Sequence, residues 1–231
     1  ADAMELDVDT LIHESGAGQL EVNFEHSDAL SRADQVFMFK RTMREAALRH
    51  GIYATFLAKP MENEPGSAMH IHQSLIDERT GENVFAGGKH GQHSEIFMHY
   101  LGGLQKYVPM AMPFFAPNVN SYRRLSIGQV APINVQWGYD NRTVGLRVPR
   151  SSPQGRRVEN RLAGVDVNPD LATACSLATM LCRIRGSAGA LASALSIRAA
   201  SRCASSNCSR ATACRAALTC PVYTSPSPRD Q

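Results

Sequence analysis

The segment Gln19-Leu-Glu-Val-Asn-Phe-Glu25 alternates without a slip, with Leu20, Val22 and Phe24 on one side and Glu21, Asn23 and Glu25 on the other. Such period-two alternation marks a strand with one face buried and one face wet. Ala68 to Leu75 repeats the pattern, with Met69, Ile71 and Leu75 as the apolar side and Ala68, His70, His72 and Ser74 as the polar one. Arg157, Glu159 and Arg161 share one side of a further short strand. Half-buried strands of this kind belong to largely antiparallel sheets, because parallel sheets are covered on both faces and read as continuous apolar runs.

Helical signals lie between the strands. Asp28 predicts an N-cap for a helix running to about His50, with Ala33, Val36, Phe37, Met43 and Ala47 as its buried stripe and Gly51 as its stop. Ile52 to Lys59 reads as a strand, and a second helix is expected from His93 to about Tyr107. The stretch Pro109 to Pro117 carries too many prolines to predict a regular element. Ile133–Trp137 and Thr143–Val148 suggest a hairpin turned at Asp140-Asn141. Asn168-Pro169 opens a last helix as N-cap and first-turn proline. The fold class is α+β: a curved, largely antiparallel sheet with flanking helices.

The 231 residues carry a formal net charge of +3, but the charge is unevenly spread. Residues 1–174 hold 17 Lys and Arg against 20 Asp and Glu, while residues 175–231 hold seven Arg, one acid and all six cysteines. The basic balance therefore belongs to the tail and predicts no nucleic-acid partner for the core. No run of 18 apolar residues is present, so no membrane partner is expected. A cysteine-free core suits a reducing compartment, and the expected location is cytoplasmic.

The polar strand faces collect chemistry. Glu14, Glu21, His70 and Glu159 are carboxylates and an imidazole, which suit Mg²⁺ or Mn²⁺. Arg147, Arg157 and Arg161 suit phosphates and carboxylates, because a planar guanidinium can grip two oxygens at once. A metal plus several arginines is the equipment of phosphoryl transfer. Taken singly, each feature is more simply a solvated or packed residue; their order along the chain is what carries weight.

That order resembles the glutamine synthetase family. His13-Glu14-Ser-Gly-Ala-Gly-Gln19-Leu-Glu21 is similar to its H-E-x-x-x-G-Q-x-E motif. Lys59-Pro60-Met61, with Gly66-Ser-Ala-Met-His70-Ile-His72-Gln-Ser74, resembles its K-P…G-S-G-M-H-x-H-x-S segment. Asn118-Val-Asn-Ser-Tyr-Arg-Arg124, Asn141-Arg142 with Arg147-Val-Pro149, Arg156-Arg157-Val-Glu159-Asn-Arg161 and Asn168-Pro169 supply the rest in the family's order. The stretch from Ser121 to Arg161 reads most like the γ-glutamylpolyamine (γ-glutamylputrescine) synthetase branch.

The resemblance implies roles. Glu14 and Glu21 would hold one Mg²⁺ or Mn²⁺ ion, and His70 and Glu159 a second that bridges the phosphates of ATP. His72, Ser74, Arg142, Arg147 and Arg157 would contact the nucleotide. Gly66, Arg124 and Arg161 would bind glutamate or its phosphorylated form, with Arg124, Arg142 and Arg161 also acting in catalysis. The implied reaction is ATP-dependent ligation of the glutamate γ-carboxylate to an amine through γ-glutamyl phosphate, in a homo-oligomer of stacked rings. The alternatives are an ammonia-using enzyme and a non-catalytic structural relative.

Two departures qualify the resemblance. The family's E-x-E carboxylate pair and its small N-terminal domain have no counterpart in this chain, so the expectation is an N-terminally truncated core that is inactive alone. Ammonia-using members place a glutamate before Ala-Pro, whereas Gln129-Val130-Ala131-Pro132 has valine there. An apolar residue at the amine site favours an organic amine such as putrescine. Residues 175–231, rich in Ala, Ser, Arg and Cys, are expected to be an out-of-frame, non-native tail, helical from Leu177 to Ala200 through alanine alone and closing in adapter-like sequence from Val222 to Asp230.

Overall fold

The computed structural model describes residues 4–87, 93–187 and 212–223. In chain order the elements are β1 (Val8–His13), β2 (Gln19–Phe24), β3 (Ser27–Asp28), α1 (Ala29–Arg49), β4 (Tyr53–Ala54), β5 (Met69–Leu75), α2 (Glu95–Phe115), α3 (Val119–Arg124), β6 (Trp137–Tyr139), β7 (Leu146–Val148), β8 (Val158–Asn160), α4 (Pro169–Ser187) and β9 (Thr212–Tyr223). The main path of the sheet runs β1-β2-β9-β5-β8-β7-β6, with β3 and β4 pairing β9. Every pairing is antiparallel except β6 with β7. The α+β class with a largely antiparallel sheet is observed.

Alternation divides the sheet into two faces. Val22, Phe24, Met69, Ile71, Leu146, Val148 and Val158 are buried in the core with α1, α2 and α4, while the residues between them turn the other way. Phe24 meets Phe39 edge-on at 5.3 Å, and Phe85 meets Tyr100 likewise at 4.9 Å. Gln73 Oε1 accepts from Tyr100 Oη of α2 and from Ser176 Oγ of α4, so the strand is tied to both helices.

Helix α1 begins where expected, with the Asp28 carboxylate accepting from the Leu30 and Ser31 amides. Its buried stripe differs, because two cations belong to it. Arg32 and Lys40 are buried, Phe39 is buried, and Phe37 is 50 % exposed. Arg32 donates to Gln35 and Asp7 and lies over the Phe24 ring, while Lys40 Nζ donates to the carbonyls of Val165 and Val167. Once those charges have partners they can pack as core, and the stripe falls one residue away from Phe37.

Three further expectations are corrected. Helix α2 starts after Ser94, whose hydroxyl accepts from the Phe97 amide, and runs through Pro109 and Pro113 to Phe115. The two prolines are four apart on the exposed face, where water can serve the carbonyls they leave free, while Val108, Ala111 and Phe115 keep the inner stripe buried. Ile52–Lys59 is strand only at Tyr53–Ala54. Strands β6 and β7 run parallel rather than as a hairpin. Asp140 adopts φ 45°, and Gly145 comes so close to the Asn134 carbonyl that a Cβ there would lie 2.1 Å from its oxygen, which folds the connection back on itself.

Helix α4 opens with the Asn168 side chain accepting from the Leu171 amide and continues to Ser187; the remainder of the expected 177–200 helix lies outside the described residues. Most of the adapter-like stretch, from residue 224 onward, also lies outside them. Among the described residues no helix is long and apolar enough to cross a membrane.

Candidate active site

The face of the sheet opposite the helices carries the charged groups, and the strand register brings them together. Glu159 of β8 is directly opposite His72 of β5 and Arg147 of β7. Opposed residues share a face, so Glu159 sits between an imidazole and a guanidinium. His70 is two residues before His72 on the same side. Glu21 of β2 joins this face through β9, since Glu21 is opposite Thr219 and His70 opposite Ala217, two residues apart on one strand.

Glu159 is the hub. Its Oε1 accepts from Arg161 Nη1 at 2.5 Å and its Oε2 from Arg147 Nη1 at 2.8 Å. His70 Nδ1 lies 3.4 Å and His72 Nε2 3.9 Å from Oε1. Burial alone would raise the Glu159 pKa, but the charges of His70, His72 and Arg161 and the Arg147 hydrogen bond outweigh it and hold the carboxyl at about 2. Burial, then Arg161, drives the His70 pKa well below its usual value. His70 is therefore neutral near pH 7, and the anion at 159 is answered there by the arginines. Arg157 Nε donates to His72 Nδ1 at 3.1 Å, which turns Nε2 of that ring toward Glu159.

Glu14 and Glu21 form a second acidic locus. The Glu14 amide donates to the Gln19 carbonyl, closing the turn between β1 and β2. Burial raises the Glu21 pKa, an Asn23 hydrogen bond opposes this, and a hydrogen bond and charge from Glu14 raise it further. Two carboxylates in hydrogen-bond reach of each other form a site that a cation would relieve. Their oxygen donors, and the nearby His70, are of the types that Mg²⁺ and Mn²⁺ accept. Among the described residues no three His, Cys, Asp or Glu side chains converge as a ready metal cage. The chain thus supplies a carboxylate pair and, beside it, the His70–Glu159 pair whose anion is already shared with two arginines.

The remaining expected residues are distributed unevenly. Arg124 is 2 % exposed and donates through Nη1 and Nη2 to the Leu162 and Arg161 carbonyls. Burial, then Arg161, lowers its pKa to about 10. Gly66 packs on the stem of Arg124. Ser74 is half-buried two residues beyond His72. Arg142 is exposed on the connection between β6 and β7 and has no hydrogen bond or ion pair to the cluster among the described residues. Val130 is 75 % exposed, so no closed apolar wall surrounds it among the described residues.

Three residues with no role assigned from sequence complete the locus. Gln19, 3 % exposed, donates to the Gly66 carbonyl and Ser67 Oγ and accepts from the Gly16 amide, joining the acidic turn to the glycine. Asp140 holds Arg147 from the side opposite Glu159, at 3.1 Å. Lys59 bridges two loops. Gln19 and Lys59 lie inside the quoted motifs and Asp140 at the expected Asp140-Asn141 turn, and that position was the available signal.

The family described as glutamine synthetase, catalytic domain, matches residues 1–191. The chain is 42 % identical over 174 residues to a gamma-glutamylputrescine synthetase of Escherichia coli (strain K12), covering 75 % of this chain and 36 % of that one. It is 41 % identical over 169 residues to a glutamine synthetase of Pyrococcus woesei, covering 73 % and 38 %. It is 41 % identical over 165 residues to a glutamate–isopropylamine ligase of a Pseudomonas species, covering 71 % and 36 %. The chain spans little more than a third of the length of these curated relatives. The chain belongs to the glutamine synthetase family.

Proposed function

We propose that this chain is the nucleotide- and glutamate-binding core of an ATP-dependent ligase that joins the γ-carboxylate of glutamate to an organic amine. The observation that carries the reading is the polar sheet face on which Glu159 is held by Arg147 and Arg161 beside His70 and His72, with Arg157 on His72 and the Glu14–Glu21 pair close by. All of these lie within residues 1–174, which we take as the catalytic module; residues 175–231 are assigned no part in the chemistry.

A carboxylate is a poor electrophile, so the reaction first moves the γ-phosphoryl group of ATP onto it. The amine nitrogen then attacks the acyl carbon, the C–O bond to phosphate breaks, and the amine gives up a proton. Two anions must meet in the first step. Arg147 and Arg157 would hold phosphate oxygens, and Arg161 the acyl phosphate, in a setting where fixed cations need little reorganisation. Divalent ions at Glu14–Glu21 and at His70–Glu159 would offset phosphate charge. Arg124 acts from beneath the glutamate locus by fixing the 161–162 backbone and the Gly66 turn, and Arg142 would reach the nucleotide from its exposed loop.

Support for an organic amine comes from Val130, which puts no carboxylate at the position where one would attract and deprotonate ammonium. Two of the relatives named above are, by their names, ligases of glutamate with an amine. The test is phosphate release by the full-length enzyme. It should require glutamate, ATP, a divalent ion and an amine together, and proceed faster with putrescine than with ammonia. Release that ignores glutamate would overturn the ligase reading, and faster turnover with ammonia would favour the ammonia-using alternative.

A further inference from the structure

Lys59 has a position that nothing in the proposed chemistry uses. Its side chain is 8 % exposed, yet its ammonium faces two neutral acceptors, the Glu64 carbonyl and Gln129 Oε1, each at 2.5 Å. Its own backbone is fixed as well. The Lys59 amide donates to Asn120 Oδ1 and the Lys59 carbonyl accepts from Asn120 Nδ2, both at 2.8 Å, so α3 clamps the residue from outside. A buried lysine held at both ends can transmit position.

What it holds are the two loops that flank the site. The Glu64 carboxylate accepts from the Ala17 amide at 3.0 Å, which ties the 59–66 loop to the turn carrying Glu14. The same loop ends at Gly66, beside Arg124. On the far side, Gln129 precedes Val130 in a loop with little else to fix it. Ile127 is 90 % exposed, Gly128 has φ 84°, and the other hydrogen bonds of residues 126–129 are to Arg123 and within the loop itself. Among the described residues, the Lys59–Gln129 hydrogen bond is the one polar tie from residues 126–132 to a distant segment.

We propose that Lys59 is the positioning residue of the amine subsite: through Gln129 it fixes the 126–132 loop, and with it Val130, relative to the Gly66–Arg124 locus. This rests on the reading of Val130 as an amine-site residue. An exposed valine can discriminate between amines only if its loop is held at a set distance from the acyl carbon. A charged hydrogen bond from a buried lysine to a half-buried amide supplies that constraint better than a fully solvated contact would.

The test is a double-mutant cycle in the full-length enzyme with Lys59→Met, Gln129→Leu and the pair. Each single variant should lower the kcat/KM ratio for putrescine over ammonia by roughly fivefold or more while leaving the KM for ATP unchanged, and the double variant should be no worse than the worse single. Gln129→Glu, which keeps an acceptor for the ammonium, should restore the ratio. Multiplying effects, or a ratio that moves in neither single variant, would overturn the proposal. Hydrogen exchange of residues 126–132 in this chain gives a readout independent of turnover, and Gln129→Leu, a change in a loop, is the variant to use if Lys59→Met does not fold. Exchange should quicken in that variant, and unchanged exchange would overturn the tether. If the unmutated enzyme releases no phosphate with any amine, the ligase reading fails and the exchange experiment alone decides the tether.

Discussion

Gly66 lies against the stem of Arg124 so closely that a Cβ added to the glycine would sit 2.7 Å from Arg124 Cγ, with the Ala58 carbonyl oxygen 2.8 Å away on another side. One neighbour is a side chain and the other is backbone, so the clash cannot be relieved by a rotamer change alone. Gly66→Ala should therefore displace Arg124 or open the 58–66 loop, at a cost of about 1–3 kcal/mol in stability. Because Arg124 supports the Arg161 carbonyl, the KM for glutamate should rise well ahead of that for ATP. Steady-state kinetics with each substrate varied would check this; equal changes in both would detach Gly66 from the glutamate locus.

Glu159 makes a prediction about acid stability in the metal-free chain. Its pKa of about 2 lies below the ordinary 4.5, so the group stabilises the fold fully above pH 4.5 and loses that contribution as pH falls toward 2. Glu159→Gln should be less stable than the unmutated chain at pH 7, and the gap should narrow progressively from pH 4.5 downward. Urea unfolding at several pH values measures the gap directly. A gap that stays constant with pH would mean that packing, not charge, is what Glu159 contributes.

The Glu14–Glu21 pair makes a prediction about metal. Burial, with help from Glu14, raises the Glu21 pKa, so a divalent ion must compete with a proton for this site. Mn²⁺ should raise the Tm of the chain at pH 7 and do so less at pH 5. Glu21→Gln should remove most of the rise, whereas Glu25→Gln, just past the end of β2 and exposed, should not. A Mn²⁺ effect indifferent to Glu21 would place the ion elsewhere.

How much of this was legible in the sequence follows from what each signal depends on. Strands β2, β5 and β8 alternate because one face packs on helices and the other carries the site, so their polar faces were readable and proved to be shared. The caps at Asp28 and Asn168 are local hydrogen-bond chemistry and were readable for the same reason. Phe37 misled because apolar periodicity has no way to admit Arg32 and Lys40 as core until their distant partners, Asp7 and the Val165 and Val167 carbonyls, are known. Helix α2 was cut short at Pro109 because the cost of a proline depends on whether its face is wet, which only packing decides. Strand β9 has no alternation, and Pro221 lies in its ladder opposite Gln19, so nothing in Thr212–Tyr223 announces a central strand. Gln19 and Lys59 act by fastening loops far apart in sequence; their place inside the quoted motifs marks them, but nothing local names their partners.

Val130 gives the most discriminating prediction. The side chain is 75 % exposed, on a loop whose polar tie to the body is the Lys59–Gln129 hydrogen bond. Ammonium is small and strongly hydrated, and a site that selects it gains from a carboxylate that replaces water and then takes the proton. A diamine also brings an alkyl chain, and each methylene moved from water onto apolar surface is worth about 0.8 kcal/mol. Exposed valine offers such a surface and offers ammonium nothing. Val130→Glu reverses both terms of the comparison: it removes the apolar surface and supplies the anion. The ratio of kcat/KM for putrescine to that for ammonia should fall by roughly tenfold, equivalent to about 1.4 kcal/mol of differential transition-state stabilisation. The KM for ATP should not move, because the proposed nucleotide contacts, His72, Ser74, Arg142, Arg147 and Arg157, all lie outside this loop. Val130→Ala separates the two contributions, since it removes apolar surface without adding charge and should lower turnover with putrescine while leaving ammonia unchanged. If Val130→Glu leaves the ratio where it was, the loop does not choose the amine, and selectivity must come from a part of the enzyme outside this chain.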